Sequence, residues 1–135
     1  MKYIKTSVLA TLFLLTTAIA APIVDGSLSA ISDGTSITIR WRSEDETDVA
    51  RYEIERKAGV NGQFIPLVAI SLRGNSSAYE YVDDSAFRIT ESIYQYQVKV
   101  VFANGAAPIY YGPITVRHDV SSVNRTWGSI KAMFR

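Results

Sequence analysis

The 135-residue chain has no cysteine, one histidine and four prolines. Without cysteine there is no disulfide framework, no thiolate metal site and no residue for a lipoprotein to acylate. With His118 as the lone imidazole, a two-His metal pair and a Cys–His catalytic arrangement are both excluded within the chain. A phosphate loop, a Gly-x-Ser-x-Gly elbow, internal repeats and low-complexity segments are all missing. Neither sign of charge dominates, with 14 basic against 13 acidic side chains, so the chain lacks the basic footprint of a nucleic-acid binder. What remains is apolar packing. Apolar content of 47% and charged content of 20% describe one globular domain, far from disorder.

The first residues read as an address rather than as structure. Lys2 and Lys5 precede an apolar run over Ser7–Ile19, and Ala18-Ile19-Ala20 supplies a small-x-small site. This predicts a secretory signal over 1–20, cleaved before Ala21 or close to it. The competing reading is an uncleaved anchor, but the run is shorter than the roughly 20 residues a spanning helix needs. Removing Lys2 and Lys5 takes the 14 basic side chains to 12 against 13 acidic ones, a mature charge of −1.

The chain is organised around Tyr94–Val101. Large apolar side chains at Tyr94, Tyr96, Val98 and Val100 alternate with Gln95, Gln97 and Lys99, a period of two that gives a half-buried strand. Other runs alternate likewise. Ser27–Ile31 is a weak first edge strand, closed by the Asp33-Gly34 turn. In the second strand Ile37, Ile39 and Trp41 face one way, and Ser36, Thr38, Arg40 and Arg42 the other. Ala50–Arg56 points Tyr52 and Ile54 inward and Arg51, Glu53 and Glu55 outward. Phe64–Leu72 is demoted to an edge or a broken strand by Pro66, which donates nothing to a ladder. Tyr79–Val82 is short and stops at Asp83-Asp84-Ser85. Ile109–Val116 returns last, with Pro113 placing it at an edge. Seven strands with turn signals and no helical period between them predict an antiparallel sandwich over 21–117.

The series Trp41, Tyr52-Glu53-Ile54-Glu55-Arg56, Tyr81-Val82-Asp83, Tyr94-Gln95-Tyr96-Gln97-Val98-Lys99-Val100, Gly105 and Gly112-Pro113-Ile114-Thr115-Val116 resembles a fibronectin type III domain. The likeness runs from about Gly26 to Val116. It implies an immunoglobulin-like sandwich with Trp41 as the core tryptophan and Tyr94 as the corner tyrosine, its phenol bonded to an upstream backbone carbonyl. There is no Arg-Gly-Asp after Gly105, and Arg73-Gly74-Asn75 is not that motif. A scaffold of this kind serves adhesion, receptor modules and spacers on carbohydrate-active enzymes.

Candidate chemistry is sparse. Ser43–Asp48 carries four carboxylates, but it lacks the Gly and the closing Glu of a calcium loop, so a solvated loop is the expectation. Asp83 and Asp84 are adjacent and face opposite ways, a turn rather than a catalytic pair. His118 reads as an exposed residue past the last strand. No enzyme, cofactor or metal is expected. Asn75-Ser76-Ser77 and Asn124-Arg125-Thr126 are glycosylation sequons if the source is eukaryotic.

The segment 118–135 is the oddity. Val123, Trp127, Ile130 and Phe134 fall on one stripe of a helix, while Arg125, Lys131 and Arg135 make it cationic. This basic amphipathic tail predicts one of three things: packing on the domain's own sheet, docking to a protein partner or sorting machinery, or adsorption to an anionic membrane surface. The expected function is therefore a non-catalytic, secreted or cell-surface interaction module for protein binding or adhesion. Its structural core is Trp41, Tyr52, Tyr94, Tyr96 and Val98, and its contacts are Arg125, Trp127, Ile130, Lys131, Phe134 and Arg135. The alternative is a carbohydrate-binding accessory domain using Tyr110 and Tyr111 as a sugar platform, although one of the two should face the core.

Overall fold

The computed structural model of the chain describes residues 20–86 and 92–119. Residues 1–19 of the expected signal over 1–20, and the tail residues Arg125, Trp127, Ile130, Lys131, Phe134 and Arg135, lie outside them. Seven strands follow one another in the order the alternation predicts: β1 (Ser29–Ser32), β2 (Ile37–Arg42), β3 (Val49–Ala58), β4 (Ile65–Ile70), β5 (Ala78–Asp83), β6 (Ile93–Phe102) and β7 (Ile109–Arg117). They form two antiparallel sheets, β1-β2-β5 and β4-β3-β6-β7. The result is an all-β sandwich.

Burial follows the two-residue period along each central strand. Tyr94, Tyr96, Val98 and Val100 of β6 are fully buried, and across the ladder Tyr52 and Ile54 of β3 pair in register with Val100 and Val98. From the other sheet Ile37, Ile39 and Trp41 of β2 and Tyr79 of β5 close the core. Trp41 stacks flat on Tyr79 with ring centroids 5.1 Å apart, and Tyr52 meets Trp41 edge-on at 5.7 Å. Offset and edge-to-face contacts of this kind add to the apolar burial of each ring. Tyr94 donates from its phenol to the Ala86 carbonyl at 2.7 Å, eight residues upstream, tying the start of β6 to the end of the segment after β5.

Both strands that carry proline are edges. Pro66 sits in β4, whose pairing with β3 shifts register opposite Ile54 and Glu55. Pro113 sits in β7, where Tyr96 pairs with Ile114 but Val98 with Tyr111, so that Gly112 and Pro113 oppose the single residue Gln97 in a bulge. Gly112 has φ +104°, and a Cβ there would lie 2.9 Å from the Tyr96 carbonyl oxygen, so only glycine fits the bulge.

Candidate binding surface

Three groups of polar residues are fixed by this frame, two inside and one outside. Arg56 is the third inward position of β3 after Tyr52 and Ile54, and Asp83 is the third of β5 after Tyr79 and Tyr81. Their parity brings an arginine and an aspartate face to face in the core. Arg56 Nη1 donates to Asp83 Oδ2 at 2.7 Å with both side chains buried. The same carboxylate accepts from the Tyr96 hydroxyl at 2.6 Å and, through Oδ1, from the Ser85 hydroxyl at 2.7 Å. The Arg56 guanidinium also lies over the Tyr94 ring, 5.7 Å from its centroid. Burial alone would raise the Asp83 pKa, but the bonds from Tyr96, Ser85 and Arg56, together with the arginine charge, hold it below the ordinary 3.8. Tyr96 is pushed well up, first by burial and then by its bond to Asp83. Asp84 remains exposed, so the two adjacent carboxylates do face opposite ways.

At the other end of the core, the Ser43–Asp48 segment is solvated at Glu44 and Asp48, as expected, but not at Glu46. Glu46 turns inward, and its Oε1 accepts from the Gly74 amide at 2.6 Å while its Oε2 accepts from the Tyr79 hydroxyl at 2.7 Å. Tyr79 in turn accepts the Arg73 amide at 2.6 Å. Its own pKa is pushed up to about 12, first by burial, with Glu46 adding to the rise. Ser43 accepts the Ser77 amide at 2.9 Å and donates to the Gly74 carbonyl at 2.8 Å, and Asn75 Oδ1 accepts the Glu46 amide at 2.7 Å. The stretch 73–77, whose Gly74 and Ser76 both have positive φ, is thus held by Ser43, Glu46 and Tyr79. Asp45 bonds to Thr47 at 2.6 Å. Among the described residues no three His, Asp or Glu side chains gather as metal ligands.

The fastened loop carries Arg73 to the outer face of the three-stranded sheet. There a groove of about 550 Å³ runs between Ser27, Arg40, Arg42, Arg73, Ala78 and Glu80. Arg42 pairs in register with Ala78, and Arg40 with Glu80, so these side chains share the solvent face. Arg40 Nε reaches Glu80 at 2.7 Å. Arg73 Nη1 donates to the Ala78 carbonyl at 3.2 Å, which brings its guanidinium beside the cross-strand partner of Arg42. Among the described residues neither Arg42 nor Arg73 has a carboxylate within ion-pair distance. Among the described residues three arginines therefore share one acid, and two of them have no carboxylate partner.

The remaining candidates sit elsewhere. His118, expected to be exposed, is buried. Just past β7 the His118 amide donates to the Ser92 carbonyl at 2.7 Å, extending the pairing with β6, and Nδ1 lies 2.6 Å from the Ser32 hydroxyl. The imidazole thereby joins the end of β1 to the end of β7. Tyr111 packs against the core and Tyr110 is half-exposed, so only one of the two rings is open for a sugar. Asn75 of the first sequon is exposed in the fastened loop, and the second lies outside the described residues. Sequence reasoning placed Arg40 and Arg42 on one outer face but did not join Arg73 to them. It also passed over Arg56, Asp83 and Glu46 as core residues. The signal for the first two was parity with buried aromatics on the same strand. No protein-family model matches the chain, and no curated protein sequence matches it.

Proposed function

We propose that this chain is a secreted, non-catalytic interaction module on a fibronectin type III-like sandwich, binding a protein partner through its outer surface and its basic C-terminal tail. The observation that carries this reading is the contrast in how polar groups are used. Arg56, Asp83 and Glu46 are turned into the core and bonded to one another or to core tyrosines, where they hold strands and loops together. Arg42 and Arg73, without a carboxylate partner among the described residues, line an open groove instead. An arrangement that locks its interior polar groups and presents its free ones outward suits recognition better than turnover. The fibronectin type III assignment is supported by the Tyr94–Ala86 bond, which is the corner geometry the resemblance implies, and by Trp41 beneath the sheet.

The test compares the full chain with a version ending at Asp119. Both are followed by thermal unfolding and by retention on the surface of producing cells. An unchanged cooperative melt with lost retention supports the division into a sandwich and a docking tail. Loss of the melt would remove that division, and equal retention would remove the tail's role. Intact mass of the surface-retained protein adds a further check, since a mass beginning near Ala21 is expected for a processed secretory chain.

A further inference from the structure

We propose that the Arg40–Arg42–Arg73 groove binds an extended acidic segment of a partner protein, with carboxylates at alternate positions. The inference rests on the interaction-module reading and names what this face recognises. Arg42 and Arg73 flank Ala78, whose methyl leaves the floor between them open. Two arginines lining one groove suit a planar carboxylate, which a guanidinium takes by paired N–H donors. Arg40 stands two residues from Arg42 on the same strand face, a separation of about 7 Å. Side chains at alternate positions of an extended peptide repeat at the same spacing, so one carboxylate can sit between Arg42 and Arg73 and the next can reach Arg40. Glu80 already holds Arg40 and would be displaced or shared.

An acidic glycan fits less well, because sugar rings stack on open aromatic faces and this groove has none. Trp41 and Tyr79, the aromatic residues beside it, are buried in the core with 1% and 3% of their surface exposed. The rest of the floor is small or hydroxylic, with Ser27, Ser29 and Ala78. Glu46 acts as a positioning residue. It holds the Gly74 amide and the Tyr79 hydroxyl, and Tyr79 holds the Arg73 amide, so the groove inherits its shape from a buried carboxylate.

The test uses the purified full chain and a fluorescent peptide of alternating Glu and Ser, read by anisotropy. A Gln–Ser peptide and a sulfated heparin-type oligosaccharide serve as comparators. Saturable binding of the acidic peptide alone is expected, weakening steeply as salt rises from about 50 to about 200 mM. R42A and R73A should each weaken it by about three- to tenfold. E80Q, which frees Arg40, should tighten it by about twofold. R51A on the other sheet, paired with Glu53 at 3.1 Å, should leave it unchanged. No saturable peptide binding, or binding indifferent to Arg42 and Arg73, overturns the proposal. Tighter binding of the oligosaccharide through the same arginines also overturns it and makes the groove a glycan site. In either case, tail-dependent surface retention would still support the interaction module, so the two readings fail separately.

Discussion

Arg56 and Arg42 are the same residue type on neighbouring layers of one sandwich, and the fold uses them in opposite ways. Arg56 takes an inward position of β3 and meets a buried carboxylate, a phenol ring and a serine hydroxyl. Arg42 takes an outward position of β2, beside Ala78, with no acid within reach among the described residues. One guanidinium is part of what holds the sheets together; the other faces solvent with no carboxylate partner among the described residues. The lesson is that strand parity, rather than charge, decides which arginine is structural and which is available.

The largest effect should come from breaking the interior half of this contrast. Arg56→Ala leaves Asp83 as an unpaired buried charge, and removal of one partner from such a pair costs about 3–5 kcal/mol. Chemical denaturation of the variant against the full chain measures it. The pair also carries a pH signature. Asp83 is held below its ordinary pKa of 3.8 in the folded state. Its contribution is therefore fully present above the unfolded value and is lost as pH falls through the lower folded value. Stability of the parent protein should decline steeply below about pH 4, and Asp83→Asn should flatten that limb. An unchanged acid limb in D83N would show that the pair does not differ between folded and unfolded states.

The alternation that makes β6 legible is also what hid this pair. Tyr94, Tyr96, Val98 and Val100 announce a buried face because every second residue is apolar. On β3 and β5 the same rule reaches Arg56 and Asp83, but a charged residue at the end of an apolar series reads as the strand leaving the core. Only the partner strand turns it into a buried ion pair, and that partner is 27 residues away. Glu46 was less legible still. It lies in a loop with no period, and its contacts to Gly74 and Tyr79 span 28 and 33 residues. His118 was misread for the same reason, since its partner Ser32 is 86 residues distant. Strand order and edge positions, which rest on local alternation and on Pro66 and Pro113, were readable. Polar contacts made across the sandwich were not.

An intermediate effect is expected at Glu46, which belongs to both halves of the contrast, being buried itself while shaping the exposed groove. Glu46→Ala strips an acceptor from the Gly74 amide and the Tyr79 hydroxyl. Leaving such groups without a partner costs about 1–3 kcal/mol. Thermal unfolding should show that loss, and acidic-peptide binding should weaken with it because Arg73 is no longer held. Glu46→Gln keeps an acceptor oxygen and should recover part of both. Stability lost without any change in peptide affinity would separate the fastened loop from the groove.

The smallest effect on stability sharpens the comparison most. Arg42 is exposed, makes no ion pair among the described residues and contributes no side-chain bond to the core. Arg42→Ala should therefore change the unfolding free energy by no more than about 0.5 kcal/mol, the range of surface substitutions away from caps and buried networks. An outward arginine on a central strand, flanked by Arg40 on its own strand and by Arg73 across it, adds repulsion to the folded state rather than attraction. Its removal is expected to leave the melting temperature unchanged or slightly raised. A near-neutral or slightly stabilising Arg42→Ala would fit the proposal that this arginine serves the groove rather than the scaffold. Should Arg42→Ala instead cost as much as Arg56→Ala, the division between structural and available arginines would fail, and the groove would have to be read as part of the scaffold.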